Sequence, residues 1–232
     1  MLENIKISNI LFLDVETAPV VYQYKNLDEN SRKLWDTKIR FQQTESFEEQ
    51  YKKAGVYAEF AKVICISVGF FNEKIFRIKS FFGDNEKKLL QDFAFLLNKH
   101  YNSKEHLLCA HNGKEFDFPF LCRRMLINGV KLPKMLDIAG KKPWEINHLD
   151  TMELWKFGDY KSYTSLNLLA NVFNIPTPKD DIDGSDVARV YWEDKDLERI
   201  AVYCQKDVIT VAQLLLKFKG EQLISGENIV YI

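Results

Sequence analysis

Apolar runs and amphipathic segments alternate along the chain in an order that predicts a mixed α/β protein, a central sheet with helices on its faces. A polar stretch after the first strand, residues 22–60, has helical character and is interpreted as an insertion. The predicted strands are NILFLDVE, AKVICISVGFF, KIFRIKSFF, HLLCAHN and a short one at NHLDTM, and the predicted helices after the insertion are DNEKKLLQDFAFLLNKHY, one containing Pro119, SLNLLANVFNI and one from about Asp194 to Lys219. The expected helix N-caps are Asp28, Thr44 or Ser46, and Asp84.

The first strand carries two acids near its end, within NILFLDVETAP, residues 9–19. Because successive side chains of a strand point to opposite faces, Leu13 and Val15 face one way while Asp14 and Glu16 share the other. Two neighbouring carboxylates repel each other, and burying them is costly unless a cation lies between them. The strand therefore predicts a divalent metal ion at its end.

A second acid lies at a predicted junction between a strand and a helix. Asp117 stands in AHNGKEFDFPFL, residues 110–121, just before a helix expected to begin at Pro119. An aspartate at such a position also caps a helix or stabilises a turn. Taken alone, Asp117 leaves both a structural and a functional interpretation open.

The last predicted helix adds a tyrosine and a further aspartate. Its apolar residues recur at steps of three and four and define a buried stripe. Tyr203 and Asp207, within YCQKDV, fall on one shoulder of that stripe, one turn apart. An ordinary boundary tyrosine with an aspartate at the solvent margin gives the same pattern, so this pair alone does not decide. The members of the stripe are Leu197, Ile200, Cys204, Val208, Val211, Leu215 and Phe218.

Composition limits the class of protein. With 232 residues, 46% of them hydrophobic, the chain is long enough for one substantial core, and we expect a single domain over residues 1–232. A net charge of −1 excludes a global basic field, so any binding of nucleic acid needs a local patch. The four cysteines are scattered in apolar contexts, as expected for core thiols in a reducing compartment. No apolar run is long enough to span a bilayer, and we expect a cytoplasmic protein.

Together the three acidic segments resemble a known set of motifs. FLDVET, NGKEFDFPFL and YCQKDV are similar to the motifs of the DnaQ-like (DEDD) 3'-5' exonuclease superfamily in its tyrosine variant, in particular the proofreading exonuclease domain of family B DNA polymerases. SYTSLNLLANVFNI resembles the helix before the third motif. The resemblance covers roughly residues 9–218, without a polymerase domain. It implies a ribonuclease H-like fold, here with a mixed five-stranded sheet and an antiparallel hairpin strand.

The resemblance also implies roles for five residues. Asp14, Glu16, Asp117 and Asp207 are expected to hold two divalent ions, and Tyr203 to position the attacking water. Ligands that are all oxygen atoms favour Mg²⁺ or Mn²⁺ over Zn²⁺. Two such ions activate the nucleophile and stabilise the leaving oxygen of a phosphodiester. An unperturbed pKa near 10 makes tyrosine a poorer general base than histidine, which favours the positioning role.

Substrate contacts follow from the same motifs. Thr17, Asn112 and Phe116 match family positions near the terminal nucleotide, although Phe116 is equally suited to the core. A stretch rich in lysine, arginine and aromatic residues, from Arg123 to Tyr163, suits single-stranded nucleic acid, with an ordinary solvated surface as the alternative. Asp150 lies outside the three motifs and is interpreted as structural.

The expected activity is hydrolysis of nucleic acid from the 3' end to 5'-mononucleotides, with DNA as the favoured partner. An enzyme that trims RNA 3' ends is the first alternative, because no residue that recognises a 2'-hydroxyl can be identified. A catalytically idle nucleic-acid-binding module is the second. The intact set of repelling acids argues against the idle module.

Overall fold

The computed structural model describes residues 2–41, 45–159, 163–176 and 182–232. A six-stranded mixed sheet in the order β5-β4-β1-β2-β3-β6 lies at its centre. β1 pairs antiparallel with β2 and parallel with β4, β2 pairs antiparallel with β3, and β4–β5 and β3–β6 are parallel. The strands are β1 (Ile10–Pro19), β2 (Ala61–Asn72), β3 (Ile75–Phe82), β4 (Leu107–Ala110), β5 (Leu149–Asp150) and β6 (Ile229–Tyr231).

The mixed α/β class and the antiparallel hairpin are confirmed, but the predicted number of five strands is wrong by one. The sixth strand comes from the C-terminal segment, which pairs with β3 at one edge of the sheet. A strand of three residues gives too short a sequence pattern to be distinguished from an ordinary loop. The α-helices are α1 (Glu29–Ile39), α2 (Phe47–Tyr51), α3 (Glu86–His100), α4 (Asp117–Ile127), α5 (Thr151–Lys156), α6 (Leu166–Val172), α7 (Val187–Arg189) and α8 (Leu197–Lys219).

Two helices begin at other residues than the sequence predicts. α4 begins at Asp117 rather than Pro119, because a proline is tolerated in the first turn, where backbone N–H groups have no partner within the helix. α8 begins at Leu197 rather than near Asp194, because Lys195 adopts a left-handed backbone conformation (φ 54°) that interrupts the helical path.

Side-chain caps fix the starts of several helices. The predicted caps Asp28 and Ser46 accept backbone N–H bonds of α1 and α2 and are confirmed, whereas Thr44 lies outside the described residues. Asn85, not Asp84, caps α3. The Asp84 carboxylate accepts a hydrogen bond of 2.6 Å from a tyrosine hydroxyl in the segment after α7, and this long-range contact is invisible in the sequence.

The two faces of the sheet carry different helices. Leu11 and Leu13 of β1 pack in a core with α3 and α4, while Phe12 packs on the opposite face against α8. Gly69 of β2 allows α8 to approach closely, since a Cβ there would lie 2.7 Å from a methyl carbon of Val208. The long final helix is therefore pressed against the face of β1 that also carries Asp14 and Glu16.

The segment 22–60 has a small core of its own. Trp35 is fully buried among aromatic rings and donates a hydrogen bond of 3.1 Å to the carbonyl of Phe47. The insertion is tied to the sheet by Thr17, whose hydroxyl donates to the Gly55 carbonyl at 2.7 Å. That bond lies directly after an irregularity in the β1–β2 register between Glu16 and Thr17.

A buried ion pair joins α3 to α4. The Arg124 guanidinium donates to both carboxylate oxygens of Glu86, at 2.8 and 2.6 Å, and to the Ala58 carbonyl at 2.8 Å. Both side chains of the pair are only 8% exposed. Arg124 is thus part of the fold, and the interpretation of the basic stretch as a nucleic-acid surface does not hold for it.

Over the described ranges, no helix has the length and apolarity needed to cross a bilayer.

Replacement of Arg124 by methionine is expected to lower the free energy of unfolding by about 3–5 kcal/mol, because Glu86 would keep a buried charge without its cation. Chemical denaturation measures this. The double variant Arg124→Met and Glu86→Gln should recover part of the loss. Lys33→Met, which breaks an exposed pair with Glu29, is the control and should leave the stability nearly unchanged. If Arg124→Met and Lys33→Met lowered the free energy of unfolding equally, the prediction would be contradicted.

Candidate active site

The acids of β1 converge with α8 on one face of the sheet. One carboxylate oxygen of Asp14, one of Glu16 and the sulfur of Cys204 all lie within 4.8 Å of one another. Glu16 is 8% exposed, Cys204 is fully buried and Asp14 is partly exposed. The alternation of side chains along β1, predicted from the sequence, is what places both acids on the side of α8.

Cys204 is a member of the cluster that the sequence interpretation assigns only to the core. Its thiol donates a hydrogen bond of 3.3 Å to the backbone carbonyl of Asp14, and burial raises the pKa of the thiol well above its usual value. A protonated thiol is a weak metal ligand, so its role here is to pack and to hold the strand. In the sequence, Cys204 could be recognised as a neighbour of the acids because it follows Tyr203 on the buried stripe of α8.

Asp117 approaches the cluster from the first turn of α4. It is the first residue of α4, is 3% exposed and accepts a hydrogen bond from the backbone N–H of Val15. Burial raises its pKa well above the usual value, and the charge of Asp14 adds to this. The carboxylate therefore faces β1 at the end of the sheet, a position that a helix cap alone does not require.

Tyr203 and Asp207 complete the group from α8. Burial raises the pKa of the Tyr203 phenol far above its usual value, and the charges of Asp207, Glu16 and Asp14 together with a hydrogen bond to Asp207 raise it further. The Tyr203 hydroxyl thus stays protonated at neutral pH. Asp207 acts on Glu16 as well, because its charge contributes to raising the pKa of that carboxyl.

The electrostatics of Asp14 and Glu16 favour a bound dication. Burial raises the pKa of Asp14 to about 6, and burial together with the charge of Asp14 raises that of Glu16 well above its usual value. Carboxylates that resist ionisation only because of burial and mutual repulsion gain most from a neighbouring positive charge. Carboxylate oxygens are suitable ligands for a divalent ion, and those of Asp14 and Glu16 lie within 4.8 Å of each other, whereas Asp117 and Asp207 are not part of that cluster.

Asp150 shapes the loop that leads to Asp117. Its carboxylate is 2% exposed and accepts four backbone N–H bonds, which join the loop between β4 and α4 to the start of α5. This confirms the structural interpretation of Asp150 and makes it more specific. The donors are Asn112 (3.0 Å), Lys114 (3.0 Å), Met152 (3.0 Å) and Glu153 (3.2 Å).

His111 precedes this loop and has both ring nitrogens occupied. Nε2 donates to the Thr164 carbonyl at 2.9 Å, and Nδ1 lies 2.9 Å from the Thr151 hydroxyl. Burial lowers the pKa of the imidazole, so the ring is neutral near pH 7. His111 thus holds the end of β4 against α5 and α6, and it has no free nitrogen for a metal ion.

The predicted substrate contacts lie around the acids in different settings. Asn112 has a left-handed backbone (φ 63°), and its buried Oδ1 has no hydrogen-bond partner among the residues that the structure describes. Phe116 is half-buried and packs on Phe120 with ring centroids 5.3 Å apart. Thr17 uses its hydroxyl to hold Gly55. The structure thus leaves an unpaired acceptor at Asn112, whereas the side chains of Thr17 and Phe116 also serve the fold.

Replacement of Asp150 by alanine is expected to lower the free energy of unfolding by about 2–4 kcal/mol, because four backbone donors lose a charged acceptor. Asp150→Asn keeps one acceptor oxygen and should cost less. Chemical denaturation gives the stability, and hydrogen exchange at Asn112 and Lys114 should accelerate. The helix-cap variant Asp28→Ala is the control, with a smaller loss and unchanged exchange at those two amides. Unchanged exchange in Asp150→Ala would contradict the assignment.

Comparison with known proteins identifies the relatives of this arrangement. A DNA polymerase from Pyrococcus glycovorans is 22% identical over 147 residues, which are 58% of this chain and 18% of the polymerase. The structure of the family B DNA polymerase from the hyperthermophilic archaeon Pyrobaculum calidifontis matches 90% of this chain with a TM-score of 0.50 and 15% identity, over 24% of its own length. This likeness confirms the ribonuclease H-like fold. The chain thus spans about a fifth to a quarter of these polymerases.

A family model described as "Predicted 3'-5' exonuclease related to the exonuclease domain of PolB" matches residues 56–227. The matched range contains Asp117, Tyr203 and Asp207, while Asp14 and Glu16 lie before it. The structure brings those two acids to the matched residues through the pairing of β1 with β2 and β4. The chain belongs to this family of predicted exonucleases related to the exonuclease domain of PolB.

Proposed function

We propose that this protein is a metal-dependent 3'-5' exonuclease that removes 5'-mononucleotides from single-stranded DNA or from DNA 3' ends. The observation that supports the proposal is the close pair of carboxylates of Asp14 and Glu16 on β1. Their charges act on Tyr203 of α8, the charge of Asp14 acts on Asp117 of α4, and that of Asp207 acts on Glu16. These acids come from three separate parts of the chain. Membership of a family of predicted exonucleases supports the same activity.

In this proposal the four carboxylates hold two Mg²⁺ or Mn²⁺ ions. Two such ions, when bound, neutralise the phosphate charge and favour both attack by water and departure of the 3' oxygen. The protein supplies a fixed set of oxygen donors, held by β1, by the first turn of α4 and by α8. Because Glu16 and Asp117 are buried and Asp14 lies next to Glu16 without an ion, we expect little reorganisation of these three acids when ions bind.

Tyr203 positions the attacking water in this proposal. Its pKa lies too high for proton abstraction near neutral pH, so the phenol serves as a hydrogen-bonding group and not as a general base. Asp207 holds the hydroxyl by a hydrogen bond. The same aspartate thus has two tasks, support of an ion and orientation of the tyrosine.

The terminal nucleotide is proposed to lie against Asn112, Phe116 and Thr17. The left-handed Asn112 presents a buried carbonyl oxygen without a partner among the described residues, which suits a hydrogen bond to a substrate donor. The half-buried Phe116 offers a ring edge beside Asp117. DNA is favoured because the relatives compared above are DNA polymerases.

Digestion of 5'-labelled single-stranded DNA, duplex DNA and RNA with Mg²⁺ or Mn²⁺ is the direct test. We expect a ladder that shortens from the 3' end, fastest on single-stranded DNA. RNA as the preferred substrate would select the RNA-trimming alternative. A single internal cut, or the absence of any divalent-dependent degradation, would contradict the exonuclease.

Asp207→Asn should slow this degradation about 10²- to 10³-fold, as expected when one electrostatic catalytic group is lost. Tyr203→Phe should slow it by about 10- to 100-fold, the scale of a positioning residue. Asp92→Asn on α3 makes the same chemical change at an exposed position and should leave the rate unchanged. A rate that is lowered as much by Asp92→Asn as by Asp207→Asn would reject the assignment.

Metal binding should also be visible in stability. Asp14→Asn removes one of the repelling charges, so without metal its free energy of unfolding at pH 7.5 should exceed that of the wild type by on the order of 1–3 kcal/mol. Mg²⁺ or Mn²⁺ should raise the melting temperature of the wild type but hardly that of the variant. Thermal denaturation with and without each ion measures both effects, with Asp92→Asn as control. Equal stabilisation of wild type and Asp14→Asn by the ions would contradict the ligand assignment.

A further inference from the structure

Three adjoining grooves follow the outer edge of the sheet, beginning at the loop that carries Asn112. They have volumes of about 260, 830 and 280 Å³. The first and second grooves share the wall residues Lys114, Asp150, Glu153 and Gly158. The second and third share Ile146, Asn147 and His148. The grooves are therefore contiguous, and together they are here called the edge groove, which extends from Asn112, a predicted substrate contact, to the opposite end of β5.

The edge groove is open because β5 is a terminal strand of the described sheet. β5 has only two residues, and it pairs with β4. A strand this short offers too few backbone groups for a peptide to extend the sheet, which argues against a peptide as the occupant. An elongated ligand in this groove must be held by side chains instead.

Aromatic rings line the middle of the edge groove. Trp155, Phe173 and Phe218 contact one another with ring centroids 5.6–6.3 Å apart. Phe157 ends α5 with a left-handed backbone (φ 44°) and a side chain that is 90% exposed. The left-handed conformation ends α5 and leaves the Phe157 ring in solvent beside the groove, where it is accessible to a ligand.

Lysines gather at the far end of the edge groove. Lys104, Lys134 and Lys141 line the third groove, which contains a single acid, Glu145. The Glu145 carboxylate accepts the backbone N–H of Lys142 at 2.7 Å. In a chain with a net charge of −1 this is a local excess of positive charge. Two of these lysines belong to the basic stretch that the sequence analysis associates with single strands.

We propose that the edge groove binds the single strand of nucleic acid upstream of the 3'-terminal nucleotide. Bases stack on Phe157 in the middle, and the three lysines bind phosphates at the far end. Unpaired bases are required, because the faces of paired bases are not accessible to a ring. This inference rests on the proposed exonuclease and assigns it a strand-length preference and an anchoring site remote from the acids.

Equilibrium binding of fluorescent single strands of increasing length tests the proposal. In an Asp207→Asn background without added divalent ions, which suppresses degradation, affinity should rise with length until the strand reaches the lysines. The combined variant Lys104→Ala, Lys134→Ala and Lys141→Ala should lose this gain but still bind the shortest strands normally. Its slope of log affinity against log salt should be smaller by about 2, the value for three lost phosphate contacts on a single strand. DNA and RNA strands are measured side by side, because both supply the bases and phosphates that the edge groove is proposed to bind.

Phe157→Ala should weaken binding of the longer strands by roughly 5- to 100-fold, the scale of one lost base stack. An abasic nucleotide placed at successive positions should weaken the wild type at one position and the variant at none. Phe95→Ala on α3, also exposed, is the matched control. The matched control for charge combines Lys33→Ala, Lys52→Ala and Lys88→Ala, three exposed lysines on other surfaces.

Equal effects of the edge-groove and control variants would overturn the proposal, as would an affinity that does not depend on strand length. Failure of the exonuclease gives a different pattern, since no substrate of any length would then be degraded while length-dependent binding persists. The binding measurement therefore tests the edge groove, and the digestion tests the exonuclease independently of it.

Discussion

The structure depends on the burial of like charges where the sheet meets α8. Asp14 and Glu16 occupy an interior strand face, Asp117 reaches the same end of the sheet from α4, and burial raises the pKa of each carboxyl. The core must hold these groups together against their repulsion. It does so with rigid elements, a central strand bonded on both sides and a helix of 23 residues pressed on it through Gly69. In the proposed function, bound dications would offset this repulsion, so the stability of the fold and the proposed chemistry would depend on the same charges.

The residues at the centre of the site follow from local periodicity. The two-residue alternation of β1 places Asp14 and Glu16 together, and the helical repeat of α8 places Tyr203 and Asp207 on one shoulder. Both patterns involve only residues that are close in the sequence, which explains why the sequence alone identifies each pair. That the three segments meet is a property of the tertiary fold, and it was accessible only through the resemblance to a family.

What the sequence could not show involves partners that are distant in the chain. Arg124 lies in a basic stretch, yet it pairs with Glu86, 38 residues away. Asp150 appears as an isolated acid, and its four donors lie on both sides of it, in the loop after β4 and in the first turn of α5. Asn85 and Asp84 are both suitable caps by composition, and the choice depends on a hydrogen bond from a distant tyrosine to Asp84. In each case a side chain of ordinary type obtains its role from a neighbour that no local pattern identifies.

The bond from Thr17 to Gly55 connects the insertion to the strand that carries Glu16, one residue from that acid. The insertion has its own aromatic core around Trp35, so it packs as a separate unit. A displacement of that unit would act on β1 at the irregularity between Glu16 and Thr17. Chimeras that exchange the insertion between relatives must keep the Gly55 carbonyl within hydrogen-bond distance of the Thr17 hydroxyl. Otherwise the exchange would shift Glu16 relative to Asp14, although neither acid belongs to the exchanged segment.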